Sequence, residues 1–231
     1  MITLTKSMAT VNPTCAAQLR IFSLFDAYGQ TDLADFWEQK DEKGTTTALI
    51  SKMDGALTLY LTDAAQADEL VEFIRVIGAR YVLSNLPLPL KNEHRLNQFV
   101  CRSSAGDMWP TTADYKEVYN IMSTRFEMPP YDEWYVDMSH RVRHSAACLI
   151  HNGGAAMCGF RADNSLLIVG LSSLPQCKGQ GRGAELLKQV LNALPQESFF
   201  LLAEDSLYKY YVNQNFAHMG YHYTYENNGD V

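Results

Sequence analysis

Hydrophobic and polar positions repeat at two spacings along this chain, and together they predict an α/β protein. Leu33, Phe36 and Trp37 at helical spacing predict a short helix over Asp32 to Lys43. Thr45 to Ser51 and Ala56 to Leu61 read as two strands about Met53-Asp54-Gly55, because Asp-Gly favours a tight hairpin turn. Leu70, Val71, Phe73, Ile74 and Ile77 return at helical period within Asp63 to Ile77, and Gly78 is placed to stop that helix. Tyr81-Val82-Leu83 is the next strand. Pro87, Pro89 and the polar run Lys91 to Gln98 predict a junction that ends before Trp109.

Beyond the junction, Tyr115, Val118, Tyr119 and Met122 share one face of a helix that starts at Thr112 or Ala113 and runs to Arg125. Pro129-Pro130 separates it from a second helix around Asp132 to Val142. Ala146 to His151 and Ala155 to Phe160 follow about the turn Asn152-Gly153-Gly154. Leu166 to Leu171 is continuously apolar, the pattern of a central strand covered on both faces. A loop from Ser172 to Gly183 leads into a helix over Ala184 to Leu194, and Phe199 to Leu202 is again a buried-type strand.

The order strand, loop, helix, strand therefore occurs twice, over Gly55 to Asn85 and over Leu166 to Asp205. Two α/β units are expected: an accessory unit over residues 1–100, which is either a degenerate duplicate or unrelated, and a second over residues 107–231. The first copy carries Thr62-Asp63-Ala64-Ala65-Gln66-Ala67-Asp68-Glu69 where the second has glycines, and its carboxylates would repel phosphate. Dimerisation is an alternative role for the first unit, with a homodimer as the expected assembly.

Net charge is −7, and the only dense basic stretch is His140 to His144, so a nucleic-acid partner is not expected. No apolar run approaches the ~20 residues that span a bilayer, and the N-terminus lacks the apolar core of a secretory signal. No membrane partner and a cytoplasmic location are expected. The five cysteines include no C-x-x-C pair, so free and mostly buried thiols are expected. His140 and His144 lie four apart, but no third ligand accompanies them, so no metal is expected.

The chemistry concentrates in Leu174-Pro175-Gln176-Cys177-Lys178-Gly179-Gln180-Gly181-Arg182-Gly183-Ala184, which joins the apolar strand to the amphipathic helix. Alternating glycines permit backbone angles closed to other residues and let a ligand approach the main chain. Amide hydrogens at a helix N-terminus, aided by the helix dipole, bind anions, and Lys178 and Arg182 add charge. A phosphate or pyrophosphate ligand is expected. No Gly-Lys is followed by Ser or Thr, and the spacing is Gly-x-Gly-x-Gly, so neither the Walker loop nor the dinucleotide fingerprint fits.

Lys178 to Gly183, followed by Ala184-Glu185-Leu186-Leu187, resembles the acetyl-CoA motif of the GNAT superfamily of N-acetyltransferases, usually written Arg/Gln-x-x-Gly-x-Gly/Ala. Lys178 stands where Arg or Gln is usual, and Pro175 matches the proline that follows the family's fourth strand. Tyr210-Tyr211-Val212-Asn213-Gln214-Asn215-Phe216 resembles the family's late segment Phe/Tyr-Tyr-x-x-x-Gly-Phe, with Asn215 in place of glycine. The resemblance is clear from about Ala146 to Tyr223 and weaker from Asp107.

The resemblance implies a mixed, mostly antiparallel sheet flanked by helices, preceded here by the smaller unit. It implies acetyl-CoA as cofactor, held by Leu171, Ser172 and Ser173 along the strand and by Lys178, Gly179, Gln180, Gly181, Arg182, Gly183 and Ala184 in the loop. It also implies direct attack of a primary amine on the thioester, with Tyr211 protonating the departing thiolate. An amine of pKa ~10.4 must shed a proton at neutral pH, a cost of about 4.6 kcal/mol. Glu204 is the candidate base, and a water relay is the alternative. Glu204 also falls where many members have an Asn touching the cofactor. Trp109, Tyr131, Trp134 and Tyr135 either line an acceptor pocket or pack as core. The expected acceptor is a small-molecule amine or a protein or peptide amine, and the rival reading is a non-catalytic acyl-CoA-binding module.

Overall fold

The computed structural model describes residues 1–8, 11–103, 114–151, 154–177, 179–194 and 197–226. The first half runs β1 (Ile2–Leu4), α1 (Ala16–Tyr28), β2 (Ala34–Lys40), β3 (Thr46–Met53), β4 (Ala56–Leu61), α2 (Ala67–Ile77), β5 (Tyr81–Ser84) and β6 (Glu93–Arg102). The second runs α3 (Tyr115–Met122), α4 (Tyr131–Arg143), β7 (Cys148–His151), β8 (Gly154–Ala162), β9 (Ser165–Ser173), α5 (Arg182–Ala193), β10 (Ser198–Ala203), α6 (Tyr208–Asn213) and β11 (Ala217–Glu226). No helix among the described residues is long and apolar enough to cross a membrane.

These strands form one mixed sheet of eleven, in the order β1-β2-β3-β4-β5-β11-β6-β10-β9-β8-β7. Only β4·β5 and β9·β10 are parallel, each joined through a helix, as parallel neighbours require. Outward from the central β11–β6 pair, one wing reads β5-β4-β3-β2 and the other β10-β9-β8-β7, so the two wings are copies of one pattern. Each half also lends its last strand to the other. β6 lies between β10 and β11, and β11 lies between β5 and β6.

Cross-strand partners share a face, which fixes the layers. Phe99 and Cys101 of β6 enter the cluster built on Leu186, Leu187 and Val190 of α5, while Tyr225 of β11 enters the cluster built on Leu70 and Ile74 of α2. Tyr225 pairs with Glu93, which has the same parity on β6 as Phe99, so α2 and α5 cover one face. The opposite face carries α1, packed against Phe36 of β2, Phe160 of β8, Leu167 of β9 and Phe200 of β10. α3 and α4 pack beside it over Leu149 and Ala155.

Two expectations are corrected, and one helix carried no sequence signal. Residues 34–40 form β2 instead of a helix: Phe36 turns to α1 and Trp37 to the α2 cluster, so both faces bury aromatic surface, and β1 and β3 supply hydrogen-bond partners. The polar run expected as a junction is part of β6, at the centre of the sheet. Its polar side chains find internal partners there, with Gln98 Oε1 accepting from the Ala16 amide at 2.7 Å and Asn97 Nδ2 donating to Asp205 at 2.6 Å. Helix α1 gave no period because it is buried on nearly every side. Its first turn is capped from the sheet by Gln98 and by His222 Nε2, which accepts from the Ala17 amide at 3.2 Å. Cys15, Cys101, Cys148 and Cys158 are free and buried, as expected, and Cys177 is partly exposed.

Candidate functional site

The parallel neighbours β9 and β10 begin paired and then part. Their register runs from Ser165↔Ser198 to Ile168↔Leu201 and stops. β9 continues to Ser173 along β8, and β10 continues to Ala203 along β6. The β10-facing edge of Val169 to Ser173 is therefore left without a strand partner. Val169 is the extra residue of a bulge against β8, where Gly170 faces Met157 and Ile168 faces Cys158, and a bulge of this kind bends the strand as the gap opens. Leu171 packs into the α5 cluster, whereas the buried Ser172 directs its hydroxyl to the Ile121 carbonyl at 3.4 Å, towards α3.

The glycine loop ends against this gap. Gly179 and Gly181 have φ of 78° and 75°, and a side chain at either would meet no neighbouring atom, so the left-handed backbone and not crowding demands glycine. Gly181 is the N-cap of α5 and supplies no side-chain cap, which leaves the first-turn amides of Arg182, Gly183 and Ala184 without intrahelical acceptors. Arg182 pairs with Glu185 at 2.8 Å, and Gln180 donates to the Gln176 carbonyl at 3.0 Å. Lys178 lies outside the described residues. A Cβ on Gly183 would stand 3.3 Å from the Tyr210 hydroxyl, so Tyr210 lies against the first turn of α5. Sequence reasoning missed that residue, since its motif pointed to the neighbouring tyrosine.

Tyr211 lies on α6 within the α5 cluster that also holds Leu171 and Ala203, its ring 5.6 Å from Phe99 and 5.8 Å from Phe216. Burial, with Tyr210 beside it, pushes its hydroxyl up to about 12, so it holds its proton across the neutral range. Glu204 directly follows β10 and is half exposed, and its Oε1 lies 2.8 Å from His94 Nε2. His94 belongs to β6, contributed by the first half, and no motif marked it. The structure thus gathers Leu171, the loop and Tyr211 about the gap on the α5 side, with Glu204 at its rim.

Tyr131, Trp134 and Tyr135 pack with Tyr115 and Tyr119 as an aromatic cluster of α3 and α4, with Trp134 buried. Trp109 lies outside the described residues. His140 directs Nε2 to the Ala27 carbonyl at 2.9 Å and stacks on Tyr28.

The matching place in the first half is filled by its own side chains. The Leu61 amide donates to Asn85 Oδ1 at 2.7 Å, and Asn85 Nδ2 donates to the Leu61 carbonyl at 2.9 Å, which bridges the end of β4 to the residue after β5. At the first turn of α2, where a phosphate would sit, Glu69 accepts from the Ile2 amide at 3.0 Å and from Gln39 at 2.8 Å.

No family model matches the chain, and no curated protein matches it in sequence. Solved structures do match. A GCN5-related N-acetyltransferase from Sphaerobacter thermophilus is 12% identical over 87% of this chain and 83% of that one, with a TM-score of 0.53. A GCN5-related N-acetyltransferase from Kribbella flavida is 12% identical over 79% and 87%, with a TM-score of 0.49. N-myristoyltransferase from Saccharomyces cerevisiae, solved with bound myristoyl-CoA, is 10% identical over 89% and 74%, also at 0.49. The chain has the GNAT fold, a mixed and mainly antiparallel sheet flanked by helices.

Proposed function

We propose that this chain is an acyl-CoA-dependent N-acyltransferase that moves an acetyl group to a primary amine by direct attack on the thioester. The observation that carries the reading is the junction of two features: the β9–β10 gap that opens after Ile168 and Leu201, and the uncapped α5 N-terminus at Gly181. An unpaired strand edge offers hydrogen bonds to an extended ligand carrying amides, and a helix N-terminus offers them to its pyrophosphate. A pantetheine arm ending in a nucleotide pyrophosphate has both groups. Lys178 and Arg182 supply positive charge to the loop, and Leu171, Ser172 and Ser173 line the arm.

Acyl-CoA, when bound, supplies an acyl group activated as a thioester. The chain's own residues would position it and manage protons: the β9 edge would orient the arm, and Tyr211, whose hydroxyl keeps its proton at neutral pH, would donate to sulfur. The GNAT fold supports this reading at the level of analogy. Residues 107–231 carry the cofactor site in this proposal, and residues 1–100 form the degenerate copy, with its gap held by Asn85.

Calorimetric titration with coenzyme A tests the proposal beside a Gly181→Asp variant, which places a carboxylate among the α5 amides. Saturable binding by the parent that is lost in a folded variant supports the loop as the cofactor site. No binding by the parent overturns it. Binding without acetyl transfer to any amine replaces the enzyme with the non-catalytic acyl-CoA-binding module.

A further inference from the structure

At the open end of the central β6–β11 pair lies a cavity of about 310 Å³ lined by Asn92, His94, Thr224 and Glu226. Glu226 has no ion-pair or hydrogen-bond partner among the described residues, and Glu204 reaches His94 at 2.8 Å from the end of β10. Glu93 is occupied by the Tyr225 hydroxyl at 3.1 Å, and Asp205 by Asn97 at 2.6 Å. From β5, Tyr81 pairs in register with Glu226 and hydrogen-bonds Thr224; burial raises its hydroxyl pKa so that it stays neutral, and the buried Arg20 of α1 lies within electrostatic reach of it. The cavity lining therefore holds one carboxylate, Glu226, two hydrogen-bonding side chains and the imidazole of His94, with Glu204 against that imidazole. Because Glu204 engages Nε2, the other ring nitrogen, Nδ1, remains without a partner among the described residues.

We propose that this cavity is the acceptor site, that it selects a primary amine arriving as an ammonium ion, and that His94, oriented by Glu204, takes the proton that must leave before attack. The proposal rests on the acyltransferase reading above and specifies its acceptor side. Placement supports it: Glu204 is the first residue after β10, the strand that borders the gap, and it meets His94 on the β6 side of that strand. The pair therefore lies one strand from the gap and on the α1 face, the face opposite Tyr211, from which an acceptor would approach the thioester. Glu226 draws the ammonium in by charge. Nδ1 of His94 accepts one proton, and Glu204 stabilises the imidazolium that results. The freed nitrogen lone pair attacks the thioester carbonyl carbon of an acyl-CoA; the C–N bond forms, the C–S bond breaks, and sulfur leaves with its electron pair and is protonated from Tyr211. Of the two protons lost by the ammonium, one leaves through His94 to water and the other restores Tyr211. His94 is contributed by the first half, so the first half would take part in catalysis without binding cofactor itself.

The test uses the full chain, with butylamine as probe. In coenzyme A-saturated protein, the ring signals of His94 in proton NMR should shift saturably as butylamine is added, and should not shift with tetramethylammonium. Glu226→Gln should weaken that titration by about tenfold while leaving coenzyme A affinity, read by calorimetry, unchanged. In the transfer assay, His94→Ala should lower kcat roughly a hundredfold with KM for acetyl-CoA unchanged, and free imidazole should restore part of the rate. Glu204→Gln should lower kcat with the same KM pattern.

Absence of the butylamine shift, or transfer by His94→Ala at the parent rate, overturns the proposal, and coenzyme A binding would still leave the acyltransferase reading standing. Loss of coenzyme A binding in the parent would instead sink that reading, and the acceptor site with it.

Discussion

Asn85 holds both main-chain groups of Leu61, its Oδ1 accepting the amide at 2.7 Å and its Nδ2 donating to the carbonyl at 2.9 Å. In the other wing the strands that correspond to β4 and β5 part without such a clasp among the described residues. One side chain therefore does in the first half what an extended ligand would do in the second. Coenzyme A should bind with a stoichiometry of one per chain, measured by calorimetry. Asn85→Ala should leave that number unchanged but destabilise the protein by about 1–3 kcal/mol in chemical denaturation, the cost of unpairing partly buried backbone groups.

Gly181 is tested by two substitutions. At φ of 75° any L-residue costs roughly 1–2 kcal/mol, so Gly181→Ala and Gly181→Asp should lower stability by similar amounts. Only the aspartate adds repulsion towards a phosphate, so calorimetry should show coenzyme A affinity reduced modestly by Ala and abolished by Asp.

Tyr211→Phe removes a hydroxyl and retains a ring that packs against Phe99 and Phe216. Stability should change by less than about 1 kcal/mol, coenzyme A affinity should hold, and the acetyl-transfer rate should fall roughly a hundredfold. A rate equal to the parent's would reduce Tyr211 to a packing residue.

His222 links folding to pH. Buried, and accepting the Ala17 amide on Nε2, it is held neutral, with its pKa pushed down to about 4. The unfolded chain binds that proton near pH 6.5, so the contribution of this residue is complete above pH 6.5 and is lost as the pH falls towards 4. The loss is on the order of 3 kcal/mol. Urea denaturation between pH 7 and pH 4 should show it, and a His222→Gln variant, which has no proton to gain, should show a shallower decline over that window.

The exchanged strands predict that the halves need each other. β11 pairs only with β5 and β6 among the described strands, and β10 also pairs with β6, so a fragment starting at residue 107 leaves both edges of β11 and one edge of β10 unpaired. It should aggregate when expressed alone. Co-expression with residues 1–103 should recover soluble material, measured by size-exclusion chromatography.

Local pattern determined a good deal here. The Asp54-Gly55 hairpin, the stop at Gly78, the continuous apolar run of β9 and the glycine loop before α5 each formed as expected, because turn chemistry and a one-sided apolar face act over a few residues. The motif residues about Gly181 and Tyr211 could be read for the same reason. Tertiary structure decided what depends on distant partners. Residues 34–40 became a strand because β1 and β3 lie on either side; α1 became a helix buried on nearly every side, which erases its period; and the polar segment at 93–98 became the start of a central strand, because α1 and the β10 turn supply partners for Gln98 and Asn97. The His94–Glu204 pair belongs to this second class. Its members are 110 residues apart, and only the exchange of β6 between the halves brings them together.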